Sequence, residues 1–331
     1  MERTTAYLLA SFTIILSTSP KASAQGAHVQ PTQYTITDSI LVGRVLTAFY
    51  AIDDVRHQLY GAGAFVVNAR TKRVTPLEDS LSGGGFGIAS DLGRGLIRNG
   101  VVFDLSSGRV VTRLPVLGDR VVYDRLTRRA FVIDDTIAVV DMTKPAAIAH
   151  IPTVGNLGAA ASDGSGHLYV VVSGKPGFVL EIDTRQLAII NTFSVPDEYP
   201  KGLAVDGPHR RLFVACYNRL TVLDADDGRT VATIATPGLT PESGFDPALK
   251  LLFQPGGQGN GLTIVHEDTP NEYSVFQTLN DPRLTSTRVI VDTTTHSIYI
   301  PHRMADSSFA FLVLNPVSTG GTSRSRSGAM R

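Results

Sequence analysis

Four charged residues each close a Pro- or Gly-bearing connection just before an alternating apolar run: Arg120 in PVLGDR, Lys201 in SVPDEYPKG, Glu242 in ATPGLTPESG and Arg288 in TLNDPRLTSTR. Brought together, three cations and one acid would hold a carboxylate or phosphate, because guanidinium and ammonium groups give charge-assisted hydrogen bonds to such oxygens. Glu242 would also suit a base acting on a small acidic or lactone-like substrate, with Arg288 or Lys201 stabilising the charge that develops. The plainer reading is solvated rim charge, the usual state of charged loop residues. Arg303 in PHRMADSSF and Asp197, Glu198 and Tyr199 in SVPDEYPKG are secondary candidates.

Other groupings weaken on spacing. His57, His167, His209 and His296 each stand in a turn before an apolar and aromatic run, and a ring of imidazoles suggests a metal. Their offsets from the preceding Asp are unequal, so they read as polar turn residues and no metal is expected. DADDG at Asp224–Gly228 has glycine in the fifth place of a calcium loop instead of the sixth, and Ala235 where the closing Glu belongs. The glycine-rich PGGQGNG and SGGGFG do not continue into Lys-Ser or Lys-Thr, so neither is a phosphate loop. There is no G-x-S-x-G, H-E-x-x-H or C-x-x-C-H, and no cofactor is expected. Cys216, within LFVACY, reads as a small core residue.

The ends and the charge set the compartment and exclude some partners. Arg3, the apolar run Ala6–Leu16 and the small-x-small pattern Ala22-Ser23-Ala24 read as a signal peptide over residues 1–24. The mature chain is expected to begin at Gln25, in the periplasm or outside the cell. No other run approaches the roughly 18 apolar residues of a membrane helix. Lys and Arg number 30 against 30 Asp and Glu. That balance favours neither nucleic acid nor an anionic membrane. One cysteine allows no internal disulfide. A monomer is expected, and the tail STGGTSRSRSGAMR at 318–331 is disordered by composition.

What could position the four charges is a repeat. An apolar run ending in Asp is followed by an aromatic at Asp53/Tyr60, Asp124/Phe131, Asp163/Tyr169, Asp206/Phe213, Asp246/Phe253 and Asp292/Tyr299, with a degenerate copy at Asp91/Ile97. The Asp-to-Asp steps are 38, 33, 39, 43, 40 and 46 residues, the length of a four-stranded propeller blade. A second polar position closes the third strand of each unit: Asn68, Asp104, Asp141, Asp183, Asp224, His266 and Asn315. Strand-like alternation and Asp-Gly or Ser-Gly turns, with no long helical period, make the chain all-β. The expectation is a seven-bladed β-propeller over residues 25–317, with repeat units over about 46–317. The last unit runs out of strands, so Tyr34–Val45 is expected to supply its outer strand and close the ring.

DGPHRRLFVACYN followed by LTVLDADDGRTVATI resembles the YVTN-repeat β-propellers of secreted and surface-layer-type bacterial proteins. The likeness is close over Gly202–Gly238, fair over Val121–Val154 and Ala160–Pro196, and weak in the second and sixth units. It implies a seven-bladed propeller outside the cytoplasm, often with no established activity, and brings no catalytic motif. Quinone-dependent dehydrogenase propellers carry tryptophan docking positions, and this chain has no tryptophan. Calcium-dependent lactonase propellers ring the axis with acids and amides, unlike Arg120, Lys201 and Arg288. The expected function is therefore exported, non-catalytic binding of a protein, glycan or small anionic ligand through the loop-rich face. The alternative is a hydrolase or lyase at the axial mouth.

Overall fold

The computed structural model describes residues 33–317, apart from 45–49, 54–55, 62–64, 77–87, 92, 97–98, 239–240 and 258–260. The expected leader, the C-terminal tail and the SGGGFG loop lie outside the described residues.

The alternating runs form strands because successive side chains point to opposite faces and branched or aromatic residues pack well on a pleat. The chain opens with β1 (Gln33–Gly43). The first blade is β2 (Tyr50–Asp53), β3 (Gln58–Gly61), β4 (Phe65–Asn68) and β5 (Val74–Pro76). The second is β6 (Ala89–Asp91), β7 (Arg94–Leu96), β8 (Val101–Asp104) and β9 (Val110–Arg113). The third is β10 (Arg120–Asp124), β11 (Arg129–Ile133), β12 (Ile137–Asp141) and β13 (Ala146–Ile151). The fourth is β14 (Asn156–Ser162), β15 (His167–Ser173), β16 (Gly177–Asp183) and β17 (Ala188–Val195). The fifth is β18 (Gly202–Asp206), β19 (Arg211–Cys216), β20 (Arg219–Asp224) and β21 (Thr230–Ala235). The sixth is β22 (Gly244–Asp246), β23 (Leu251–Pro255), β24 (Leu262–Thr269) and β25 (Glu272–Leu279). The seventh holds β26 (Ile290–Asp292), β27 (Ser297–Arg303) and β28 (Phe309–Val317), with β1 as its outer strand. These seven antiparallel four-stranded sheets are the blades of a β-propeller.

One turn recurs in every blade. Immediately before the second strand stands a residue of positive φ: His57 (52°), Gly93 (76°), Arg128 (57°), Gly166 (116°), Arg210 (56°), Lys250 (55°) or His296 (61°). In the first six blades its carbonyl accepts the amide that follows the polar residue of the third strand: Ala69, Leu105, Met142, Thr184, Ala225 or Glu267. The seventh blade has Pro316 at that place, which has no amide hydrogen to give. The polar residue itself caps the next turn; Asp183 Oδ1, for example, accepts the amides of Arg185 at 2.7 Å and Gln186 at 2.8 Å.

Burial follows the interfaces. The seven apolar clusters each draw on two neighbouring blades. Phe131, Ile133 and Ile137 of the third blade, for instance, pack with Leu168, Val170 and Val172 of the fourth. In the second blade the expected Ile97 lies outside the described residues; Leu96, fully buried, holds the third place of β7, where the other blades carry their aromatic. Its bulk is supplied from the next strand. Phe103 pairs with Gly95, and a Cβ on Gly95 would stand 2.6 Å from the Phe103 ring.

Ring closure takes the expected form. β1 pairs antiparallel with β28 from Gln33–Val317 to Gly43–Phe309. Tyr34, fully buried, meets Phe253 edge-on at 5.1 Å, and Gln277 of the sixth blade brackets its backbone with hydrogen bonds of 2.7 and 3.0 Å. Burial of Ile40 alone contributes about 2 kcal/mol. Deleting the residues before 46 strips this strand and uncovers the seventh blade. The shortened chain should lose the sharp calorimetric transition of the intact one; a transition of equal sharpness would show that closure lies elsewhere.

Candidate functional site

The first strand of each blade lies nearest the axis; neighbouring inner strands touch around it from β6 to β26, and β26 meets β2. Each inner strand starts at one face and runs to its repeat Asp at the other, as its last residue in six blades and just beyond it, at Asp163, in the fourth. Between them lies a cavity of about 350 Å³, lined by small and branched side chains including Ala51, Ile52, Val121, Ala160, Leu203 and Val291. Arg120, Glu242, Ser243 and Thr293 bring polar groups to its wall.

At the starting face Arg288 Nη1 lies 3.3 Å from Glu242 Oε1, and their side chains are 16% and 22% exposed. Burial pushes the Glu242 carboxyl up to about 7, against the pull of Arg288 and Arg120. Burial also lowers Arg120, opposed by Glu242 and Asp119, while Arg288 lowers it further. Arg120, Glu242 and Arg288 thus share one electrostatic site, with Asp119 at its edge. Two guanidinium groups beside a carboxyl poised near neutral pH can bind an anionic group and also donate or accept a proton.

Lys201 does not join them. Its backbone is held between blades, the amide donating to Ala215 O at 2.9 Å and the carbonyl accepting from Ala159 at 3.0 Å. It lines a separate cavity of about 540 Å³ with Asp197, Glu198, Tyr199, Tyr217 and Arg219. There Asp197 accepts hydrogen bonds from Arg219 at 2.6 Å and from Thr221. Tyr217 is 68% exposed; its place in a tight hairpin turn, beside Asn218 at φ 53°, was the overlooked sign of a surface aromatic. Arg303 is exposed at the end of β27 and lines neither cavity.

The opposite face carries the repeat aspartates and the histidines. His57 Nδ1 lies 2.8 Å from Asp292 and His296 Nδ1 2.6 Å from Asp246, each across a blade boundary. His167 bonds Asp163 at 2.8 Å within its own turn. Turn residues they are, but two of them also pin neighbouring blades together. A third cavity, of about 600 Å³, lies among Asp53, Arg56, Asp91 and Arg125. Cys216 is buried, and that burial together with Asp197 pushes its thiol up to about 12, away from the thiolate that reactivity requires.

No family model matches the chain, and no curated protein sequence matches it. Solved structures do. A chain from the crystal structure of a mitotic checkpoint complex is similar with a TM-score of 0.71 and 12% identity, over 94% of this chain and 100% of that one. The β-propeller domain of Myceliophteria thermophila Cps50 (Swd1) is similar with a TM-score of 0.63 and 14% identity, over 84% and 99%. At such identities the likeness establishes the fold. Among the described residues no helix is long and apolar enough to cross a membrane.

The raised Glu242 has a sign that can be measured. The folded chain holds this proton more tightly than the unfolded chain, so stability falls as pH rises from the ordinary 4.5 to about 7 and levels off above. Glu242→Gln should therefore melt a few degrees above the unsubstituted protein at pH 8 and match it near pH 4.5. Equal midpoints at pH 8 would mean that the arginines compensate the buried charge in full.

Proposed function

We propose that this chain is an exported, non-catalytic propeller of the YVTN-repeat kind that captures a small carboxylate- or phosphate-bearing ligand at its axial mouth. The observation carrying this reading is Arg120 and Glu242 in the wall of a largely apolar 350 Å³ cavity, with Arg288 held against Glu242 at 3.3 Å. Paired cations suit the anionic group, the protonated Glu242 suits a second ligand oxygen, and Val121, Leu203 and Val291 suit an apolar body. Export rests on Arg3, the Ala6–Leu16 run and Ala22-Ser23-Ala24. N-terminal sequencing of the protein recovered outside the cytoplasm should read Gln25 first.

A second reading, hydrolysis or elimination at the same mouth, draws on the Glu242 carboxyl near 7, the value a general base needs. A third places a protein partner on the loop-rich face, as one similar chain was solved within a checkpoint complex.

Thermal melts with a panel of small carboxylates and inorganic phosphate separate them. A ligand at 100 times its dissociation constant adds about 2.7 kcal/mol, which moves the midpoint by several degrees. Arg120→Gln and Arg288→Gln should each weaken the ligand found by about 10- to 100-fold. Glu242→Gln should leave binding largely intact, and would abolish turnover if the site were catalytic. A panel without any shift would turn attention to protein partners.

A further inference from the structure

Four repeat aspartates face the following blade and are met there by a donor. Arg128 grips Asp91 at 2.9 and 3.0 Å, the Thr184 hydroxyl meets Asp124 at 2.9 Å, and His296 and His57 meet Asp246 and Asp292. Between the fifth and sixth blades the pattern reverses: Asp206 faces Glu267, an acid.

Thr184 and Glu267 hold equivalent places. Each follows the polar residue of its third strand, and each amide donates to the carbonyl of the left-handed turn residue, Gly166 or Lys250, at 2.9 Å. Thr184 can give a proton to the neighbouring Asp; an ionised Glu267 cannot. The Glu267 side chain is 1% exposed, and neither of its oxygens accepts a hydrogen bond. His209 Nδ1 lies 3.4 Å from Glu267 Oε1 but is engaged with Asp206 Oδ2 at 2.5 Å. Lys250 tempers the Glu267 charge without bonding to it. Two buried carboxylates sharing one imidazole lack the positive charge that burial demands.

We propose that Asp206, His209 and Glu267 bind a divalent cation of the zinc or manganese type between the fifth and sixth blades. Their ligand atoms lie within 4.8 Å of one another, the only such group of three among the described residues. One imidazole nitrogen and two carboxylate oxygens suit these metals, whereas calcium takes six to eight oxygens. At metal–ligand distances of about 2.0–2.2 Å, Nδ1 must retreat from Asp206 by about 1 Å, while its present spacing from Glu267 already fits. The His209 side chain, 36% exposed, leaves an approach from solvent and room for water as a further ligand. This cation sits at the Asp-bearing face and is independent of the anion at the mouth.

The rival occupant is a proton shared by Asp206 and Glu267, since burial and the Asp206 charge push Glu267 up to about 7. The test uses the full chain, stripped by chelator and titrated with Zn²⁺ or Mn²⁺ alone by calorimetry, with melts alongside. One equivalent should bind and raise the midpoint by several degrees. Glu267→Thr, which installs the residue of the fourth blade, should fold yet bind at least about 100-fold more weakly. His209→Gln, on the exposed rim, should lose affinity likewise and serves if Glu267→Thr does not fold. No stoichiometric uptake by the intact chain, or equal affinity in these variants, would leave the shared proton as the occupant and overturn the proposal.

Discussion

No blade of this protein owns a core. Each four-stranded sheet has two apolar faces, and each apolar cluster is made by two neighbours, so burial depends on the ring being continuous. A blade removed from its neighbours would expose both faces. The circle must therefore close, and it closes through the pairing of β1 with β28, joining residues almost the whole chain apart.

The same arrangement makes two chemically different faces. One is built from connections that begin the inner strands, where Arg120, Glu242 and Arg288 converge although they belong to the third, sixth and seventh blades. The other is built from the Asp-led turns, whose left-handed residue ties the first hairpin to the third strand and aims side chains at the blade before. Structural regularity lies on the Asp face, where most positions bind neighbouring blades together. The irregular member of that set, Glu267, is informative because six counterparts define what its place ordinarily holds.

Much of the architecture was legible because the repeat is physical: Asp begins the turn, an aromatic fills the interface, and spacing counts blades. The closing strand followed from counting, since the last unit lacked a fourth strand. The copy in the second blade was degenerate because that blade carries its large ring on the third strand, at Phe103, with Gly95 making room. The site was only partly legible. Arg120, Glu242 and Arg288 converge as inner-strand starts should, but Lys201, at the same kind of position, lines another cavity while its backbone bridges blades. Strand order can be read from periodicity; the direction of a side chain at a strand start cannot. Glu267 was invisible for a related reason: one Glu after a His says nothing until the fold sets it against Asp206.

The closure also has a mechanical side. Gln33 pairs with Val317, so the first residue of β1 and the last of β28 lie at the same end of their antiparallel ladder. Tension applied through these two ends loads the rungs one at a time, opening the pair as a zipper instead of shearing all its bonds together. A ring held together by seven shared interfaces would thus yield to a pull at its own seam, and the seventh blade would be the first to come apart under load.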